Sequence, residues 1–375
     1  MRDVDHQLDP QNDGDPESRR AVSRRTVLKA AAAASAAPLI SSFAQSPSIS
    51  QSNAASNNCE PPKTPLEPTT QKFIDSLAGA KPLRDMTPAA AHKVLTDLQS
   101  APPPIPLKPA DITDTTFPVG PTGTTRIRIV RPKGMTGTLP VLMYFHGGGW
   151  VLGDKITHDR LVRELADGVK AALVFVDYIN APEAKYPTQN EQAYASMKYV
   201  VDHARELNVD PTRLALAGDS VGGNMVAAVT LMAKERSGPR IAYQVLYYPV
   251  TDYPSDNTSY RRFADGPWLT AANTKWFFEQ QGLDGTQGIT AYPLRATIEQ
   301  LRGLPDALVV TDDDILQEEG EAYAGKLSQA GVRVTTVRYN QTIHDFVMLN
   351  PIANAPAARG AIGQGIWALR AALRT

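Results

Sequence analysis

The stretch Leu216-Ala217-Gly218-Asp219-Ser220-Val221-Gly222-Gly223-Asn224 decides the fold. A short apolar run over residues 214–217 enters it, and a helix-type run over 222–234 leaves it with no turn residues between. Gly-x-Ser-x-Gly between a strand and a helix reads as a nucleophile elbow, in which a strained backbone lifts the serine Oγ above the strand end. Glycine is required on either side because a Cβ there would meet the adjoining strand or helix. Backbone amides and the dipole at the helix start face the same oxygen.

Working outward, Leu142-Met143-Tyr144-Phe145 opens into His146-Gly147-Gly148-Gly149-Trp150. Acyl transfer needs two or three backbone N–H groups aimed at the oxygen that gains charge, and consecutive glycines clear the approach to them. A phosphate loop is the rival reading. No Gly-Lys-Ser/Thr follows and no Gly-x-Gly-x-x-Gly occurs, so that reading is set aside.

Further strand-like runs stand at 141–145, 173–178, 243–250, 307–311 and 332–339, separated mostly by helix-like stretches at 161–169, 192–207 and 319–330. Strands that are apolar almost throughout, alternating with helices, imply an α/β fold with a mostly parallel sheet covered on both faces. Helical periodicity also marks 71–77, 88–98 and 363–373. The link between Val250 and Ala307 carries Tyr253, Tyr260, Phe263, Trp268, Trp276, Phe277 and Phe278. So aromatic an insertion is expected to be a lid or pocket wall, including a helix near 270–279.

The chain is 375 residues long with 38 Lys plus Arg against 39 Asp plus Glu, so nothing favours a nucleic acid or an anionic membrane as partner. Cys59 is the only cysteine, which excludes an intrachain disulfide and thiolate metal clusters.

A base for Ser220 must come from six histidines. His6 lies in the leader, His92 and His203 fall within helical patterns, and His146 belongs to the glycine loop. His158 opens a helix as a cap or surface residue and stays a second candidate. His344 follows the run 332–339 on a loop, where a parallel sheet gathers catalytic groups, and elimination favours it. The acid should lie between Ser220 and His344 on another strand end. Asp312-Asp313-Asp314 follows the run 307–311, and spacing does not separate the three.

Together these residues resemble the hormone-sensitive-lipase-like branch of the α/β hydrolases over roughly residues 71–373. The resemblance rests on His146-Gly147-Gly148-Gly149-Trp150, Gly218-Asp219-Ser220-Val221-Gly222-Gly223-Asn224, Asp314-Ile315-Leu316-Gln317-Glu318-Glu319-Gly320 and Ile343-His344-Asp345-Phe346. It implies an α/β-hydrolase fold with a helical cap and a Ser220, Asp314, His344 triad. It also implies oxyanion donors among Gly147, Gly148 and Gly149 together with Val221, no cofactor or metal, and hydrolysis of small carboxylic esters of short to medium acyl chain. The cap parts are expected near 71–100 and 253–292. Three departures bear on packing: Val221 where the family often has Ala, Ile179-Asn180 in place of Arg-Leu, and Glu318 where it usually has Asp. The same triad would also serve an amidase or lactonase. A non-catalytic ligand-binding relative is the remaining alternative, and the presence of His344 argues against it. A homodimer stays open.

Ahead of the domain, Ser23-Arg24-Arg25 precedes an Ala-rich run, and Ser42-Phe43-Ala44 fits a cleavage site. Residues 1–44 thus resemble a twin-arginine export signal, followed by a flexible linker over 45–70. The expectation is an exported protein, periplasmic or secreted, with no stable membrane anchor once the signal is removed.

Overall fold

A computed structural model describes residues 65–254 and 256–375. The export signal, Cys59 and most of the expected linker lie outside the described residues. Ten α-helices and eight strands are described: α1 Pro68–Ser76, α2 Pro88–Ser100, β1 Ala110–Phe117, β2 Thr125–Pro132, β3 Leu139–Phe145, α3 Asp159–Val169, β4 Ala172–Asp177, α4 Thr188–Asp202, β5 Val209–Asp219, α5 Val221–Glu235, β6 Tyr243–Tyr247, α6 Thr258–Arg262, α7 Ala271–Gln281, α8 Ile298–Leu301, β7 Asp306–Asp312, α9 Gln317–Gln329, β8 Val334–Tyr339 and α10 Pro356–Leu373.

The strands form one sheet in the order β1-β2-β4-β3-β5-β6-β7-β8. From β4 to β8 every pair is parallel, while β1 and β2 join antiparallel at one edge. Successive side chains of a strand point to opposite faces. Accordingly Val141, Met143 and Phe145 of β3 enter one core with Met197, Met225 and Leu327 from α4, α5 and α9. Leu142 and Tyr144 enter the other core with Leu161, Leu165 and Leu369 from α3 and α10. A sheet buried on both faces explains why its central strands read as unbroken apolar runs.

Sequence periodicity misses β1 and β2. Their faces are half-wet, and β1 reads Ala-Asp-Ile-Thr-Asp-Thr-Thr-Phe with only Phe117 buried. Charge pairs rather than burial decorate this edge: Arg128 reaches Asp114 at 2.7 Å and Arg126 reaches Asp177 at 2.9 Å. The expected linker end also shifts, because α1 starts at Pro68 rather than at Gln71. The Glu67 carboxylate accepts from the amides of Thr69 and Thr70, and proline in the first helical turn needs no partner for an N–H. Among the described residues no helix is long and apolar enough to cross a membrane.

Because β3, β5, β7 and β8 run parallel, their carboxyl ends share one rim of the sheet. The glycine loop leaves β3 there, Ser220 leaves β5, Asp314 follows β7, and His344 follows β8.

Candidate active site

Ser220 sits between β5 and α5 at φ 54° and ψ −120°, a backbone state that costs a non-glycine residue about 1–3 kcal/mol. Its surroundings hold it there. Its N–H donates to the Tyr247 carbonyl at 2.9 Å, and its carbonyl accepts from Asn224 N at 3.1 Å. The glycine requirement is physical: a Cβ on Gly218 would run into the Gly222 carbonyl, and one on Gly222 into the Phe145 carbonyl.

His344 Nδ1 lies 2.6 Å from Asp314 Oδ2, and its Nε2 lies 2.8 Å from Ser220 Oγ. With Nδ1–H donating to Asp314, Nε2 of the neutral ring accepts the serine proton. Asp314 is fixed in turn by the Leu316 amide, which donates to Oδ1 at 2.8 Å. All three side chains are buried. Burial alone would lower the basicity of His344, but the carboxylates of Asp345, Asp314 and Asp312 outweigh it and raise its affinity for a proton. The structure also separates the three acids. Asp312 ends β7 facing inward with both oxygens unpartnered, and burial together with Asp314 pushes its carboxyl far up. Asp313 instead accepts from the Gln341 amide at 3.4 Å.

Asp312, Asp314 and His344 bring ligand-type atoms within 4.8 Å of one another. His344 Nδ1 and Asp314 Oδ2 already bond to each other and Nε2 faces Ser220, so two of the three groups are committed to the triad.

Gly147 is corrected as an oxyanion candidate. Its amide donates to Asp219 Oδ1 at 3.1 Å, so it is turned away from Ser220. Gly148 and Gly149, at φ 99° and 64°, line the cavity beside Ser220 and Val221. Those conformations suit glycine, and a Cβ on Gly149 would enter the Phe277 ring of α7.

His158 is corrected in part: it does stand at the N-cap of α3, but its side chain makes no cap hydrogen bond and its ring is fully buried rather than at the surface. Its Nε2 lies 3.3 Å from Asp219 Oδ2 and its Nδ1 2.9 Å from Thr157 Oγ1. Asp219 gains a third partner in the Tyr144 hydroxyl, which donates to Oδ1 at 2.6 Å. Burial opposes its ionisation, yet His158 and the Tyr144 hydroxyl hold its carboxyl below the usual range. This pairing stiffens the elbow from beneath; the acidic residue inside Gly-Asp-Ser was its only trace in the sequence. Tyr144→Phe is expected to lower stability by about 1.5–3 kcal/mol, the worth of a hydrogen bond to a charged group, in urea unfolding. His146 does orient backbone: its Nδ1 donates to the Gly147 carbonyl at 2.9 Å while its ring stacks on Tyr178 at 4.0 Å. Burial, reinforced by His158, pushes its pKa down to about 3, which keeps the ring neutral.

The substrate-side cavity holds about 570 Å³ and reaches Ser220 and His344. Leu77, Leu83, Val94 and Leu98 wall it from α1, α2 and the turn between them, and Trp268, Leu269, Phe277 and Phe278 from the insertion. A larger hollow of about 890 Å³ beside Trp367 and Arg333 contains none of these groups. The departures from the family pattern are accommodated. Val221 lines the cavity, Asn180 Nδ2 donates to the Gly153 carbonyl at 3.1 Å, and Glu318 accepts from the Thr258 amide at 2.8 Å at the start of α6.

A serine on a strand–helix turn, paired to a histidine and an acid from later strand ends, defines an α/β hydrolase. The family model described as the α/β hydrolase fold matches residues 142–348, and the chain belongs to that family. It is 35% identical over 324 residues to the esterase LipI of Mycobacterium tuberculosis, covering 84% of this chain and 98% of the relative. The carboxylesterase NlhH of the same organism is 37% identical over 253 residues, 66% of this chain and 78% of that one. The crystal structure of a thermostable esterase from Pseudomonas putida superposes with a TM-score of 0.81 at 45% identity, covering 84% of this chain and 99% of that one.

Proposed function

We propose that this protein is a serine carboxylesterase acting on short- to medium-chain acyl esters. The observation that carries the reading is the unbroken line Asp314–His344–Ser220, with contacts of 2.6 and 2.8 Å, opening into an apolar cavity. Similarity to proteins named esterase and carboxylesterase supports it.

Ser220 Oγ attacks the ester carbonyl carbon as its proton passes to His344 Nε2. Asp314 holds the Nδ1–H tautomer and stabilises the imidazolium. The amides of Gly148, Gly149 and Val221 receive the oxyanion. The C–O bond to the alcohol breaks as Nε2–H protonates the leaving oxygen. Water then attacks the acyl-enzyme with His344 as base, releasing the acid and restoring Ser220. The walls supplied by α1, α2 and the insertion bound the acyl chain.

A fluorophosphonate should label Ser220 alone and abolish hydrolysis in proportion, and a p-nitrophenyl ester series should peak at short or medium chains. Labelling elsewhere, or the absence of ester turnover, overturns the proposal. His344 must be neutral to act as base, and its proton affinity is raised. The acid limb of kcat/KM therefore lies above the ordinary histidine value of about 6.5.

The protein is further read as exported to the periplasm or the medium and free of a membrane anchor after processing. Arg24-Arg25 ahead of the Ala-rich run supports that reading. Fractionation of cells expressing the full chain tests it: activity confined to the cytoplasm overturns it.

A further inference from the structure

Asp345 has no role in the mechanism above, yet its carboxylate stands on the working side of the histidine. Oδ1 lies 3.5 Å from His344 Nε2, the atom that exchanges the proton with Ser220. Oδ2 accepts from Trp268 Nε1 at 2.9 Å. Trp268 belongs to the aromatic insertion, its ring packs against Phe73 of α1 at 5.5 Å, and it lines the same cavity. One indole thus joins both walls of the cavity to the loop that carries His344. Asp345 also adopts φ 68°, a left-handed state that few residues other than glycine, asparagine and aspartate accept at low cost. The following turn maintains that conformation, since the amides of Met348 and Leu349 donate to the Asp345 carbonyl.

We propose that Asp345, tethered to the aromatic insertion by Trp268, is a positioning residue that stabilises the imidazolium form of His344. A carboxylate beside Nε2 repels the lone pair of the neutral ring and attracts the N–H of the charged one. The charged ring exists in both tetrahedral intermediates and not in the resting enzyme, so the interaction strengthens as the reaction proceeds. Other groups face the ring without duplicating this. Asp314 holds Nδ1, Asp312 lies behind it with no hydrogen-bond partner, Ser220 lies at Nε2, and the Tyr248 ring packs at 4.8 Å. The buried Asp219 and His158 act on Asp345 only through space. The tether adds a coupling: displacing Trp268 removes a donor from the carboxylate and weakens its hold on the imidazolium.

The catalytic consequence rests on the esterase reading, whereas the electrostatic one does not. The test is therefore a titration of His344 by nitrogen-15 histidine NMR on the full chain, with the resonance assigned by its loss in His344→Gln. Asparagine tolerates the left-handed backbone, so Asp345→Asn removes the charge and keeps the turn. It should lower the titration midpoint by about one pH unit or more, as expected when an opposite charge within 4–6 Å is lost. Trp268→Phe should shift it the same way by less, and the double variant no further than Asp345→Asn. The acid limb of kcat/KM should move in parallel. A midpoint unchanged in Asp345→Asn overturns the inference whether or not esters are cleaved, whereas a shifted midpoint in a protein without ester turnover overturns only the esterase reading. If Asp345→Asn fails to fold, an unchanged midpoint in Trp268→Phe overturns it equally.

Discussion

Ser220→Ala is expected to lower kcat for p-nitrophenyl butyrate by about a million-fold, the scale reached when a triad loses its serine while its oxyanion site stays intact. The residue left behind removes the only atom able to form the acyl bond. Everything that holds the elbow remains: the amide bonded to Tyr247, the carbonyl bonded to Asn224, and the close packing of Gly218 on Gly222. Stability should therefore stay within about 0.5–1 kcal/mol of the parent in urea unfolding. A small gain is the more informative result, since sites that hold reactive geometry commonly trade stability for it. The amides of Gly148, Gly149 and Val221 remain in the cavity, so slow turnover by bound water should persist above the uncatalysed rate. Activity within tenfold of the parent would show that acyl transfer does not pass through Ser220.

What was legible in the chain was whatever the backbone itself demands. Gly218 and Gly222 must be glycine for steric reasons that act within a few residues, so the elbow could be read from its own segment. The central parallel strands β3, β4, β6 and β7 announced themselves by being buried on both faces. Where a residue's role depends on a partner far along the chain, local reading failed. His158 does open α3 as its segment suggests, but its burial and its partner Asp219, 61 residues away, cannot be read locally, and only the folded sheet brings His158 and Tyr144 around that carboxylate. The three aspartates after β7 cannot be told apart by spacing. Folded, Asp312 points inward, Asp313 meets Gln341, and Asp314 alone reaches His344. Gly147 shows the same limit within one motif. Three consecutive glycines look equivalent as donors until Asp219 claims the first amide.

Asp314→Asn should cost about 10⁴-fold in kcat while leaving binding of a substrate-like inhibitor nearly intact. Asp314 now accepts twice, from the Leu316 amide at Oδ1 and from His344 Nδ1–H at Oδ2. Asparagine offers one oxygen and one NH₂ in the same space. If its oxygen keeps the Leu316 amide, the NH₂ faces Nδ1, and the imidazole proton must move to Nε2. There it points at Ser220 Oγ and no lone pair remains to take the serine proton. If the amide turns over, its NH₂ confronts the Leu316 N–H, a buried clash of two donors. Asp345 deepens the first outcome, because an N–H at Nε2 has a carboxylate 3.5 Å away to favour it. Adding Asp345→Asn to Asp314→Asn should therefore recover part of the lost rate, although Asp345→Asn alone slows the enzyme. The rate of fluorophosphonate labelling at Ser220 should follow the same order. Losses that simply multiply in the double variant would mean that the two carboxylates act independently on the ring, and the tautomer account would fail with them.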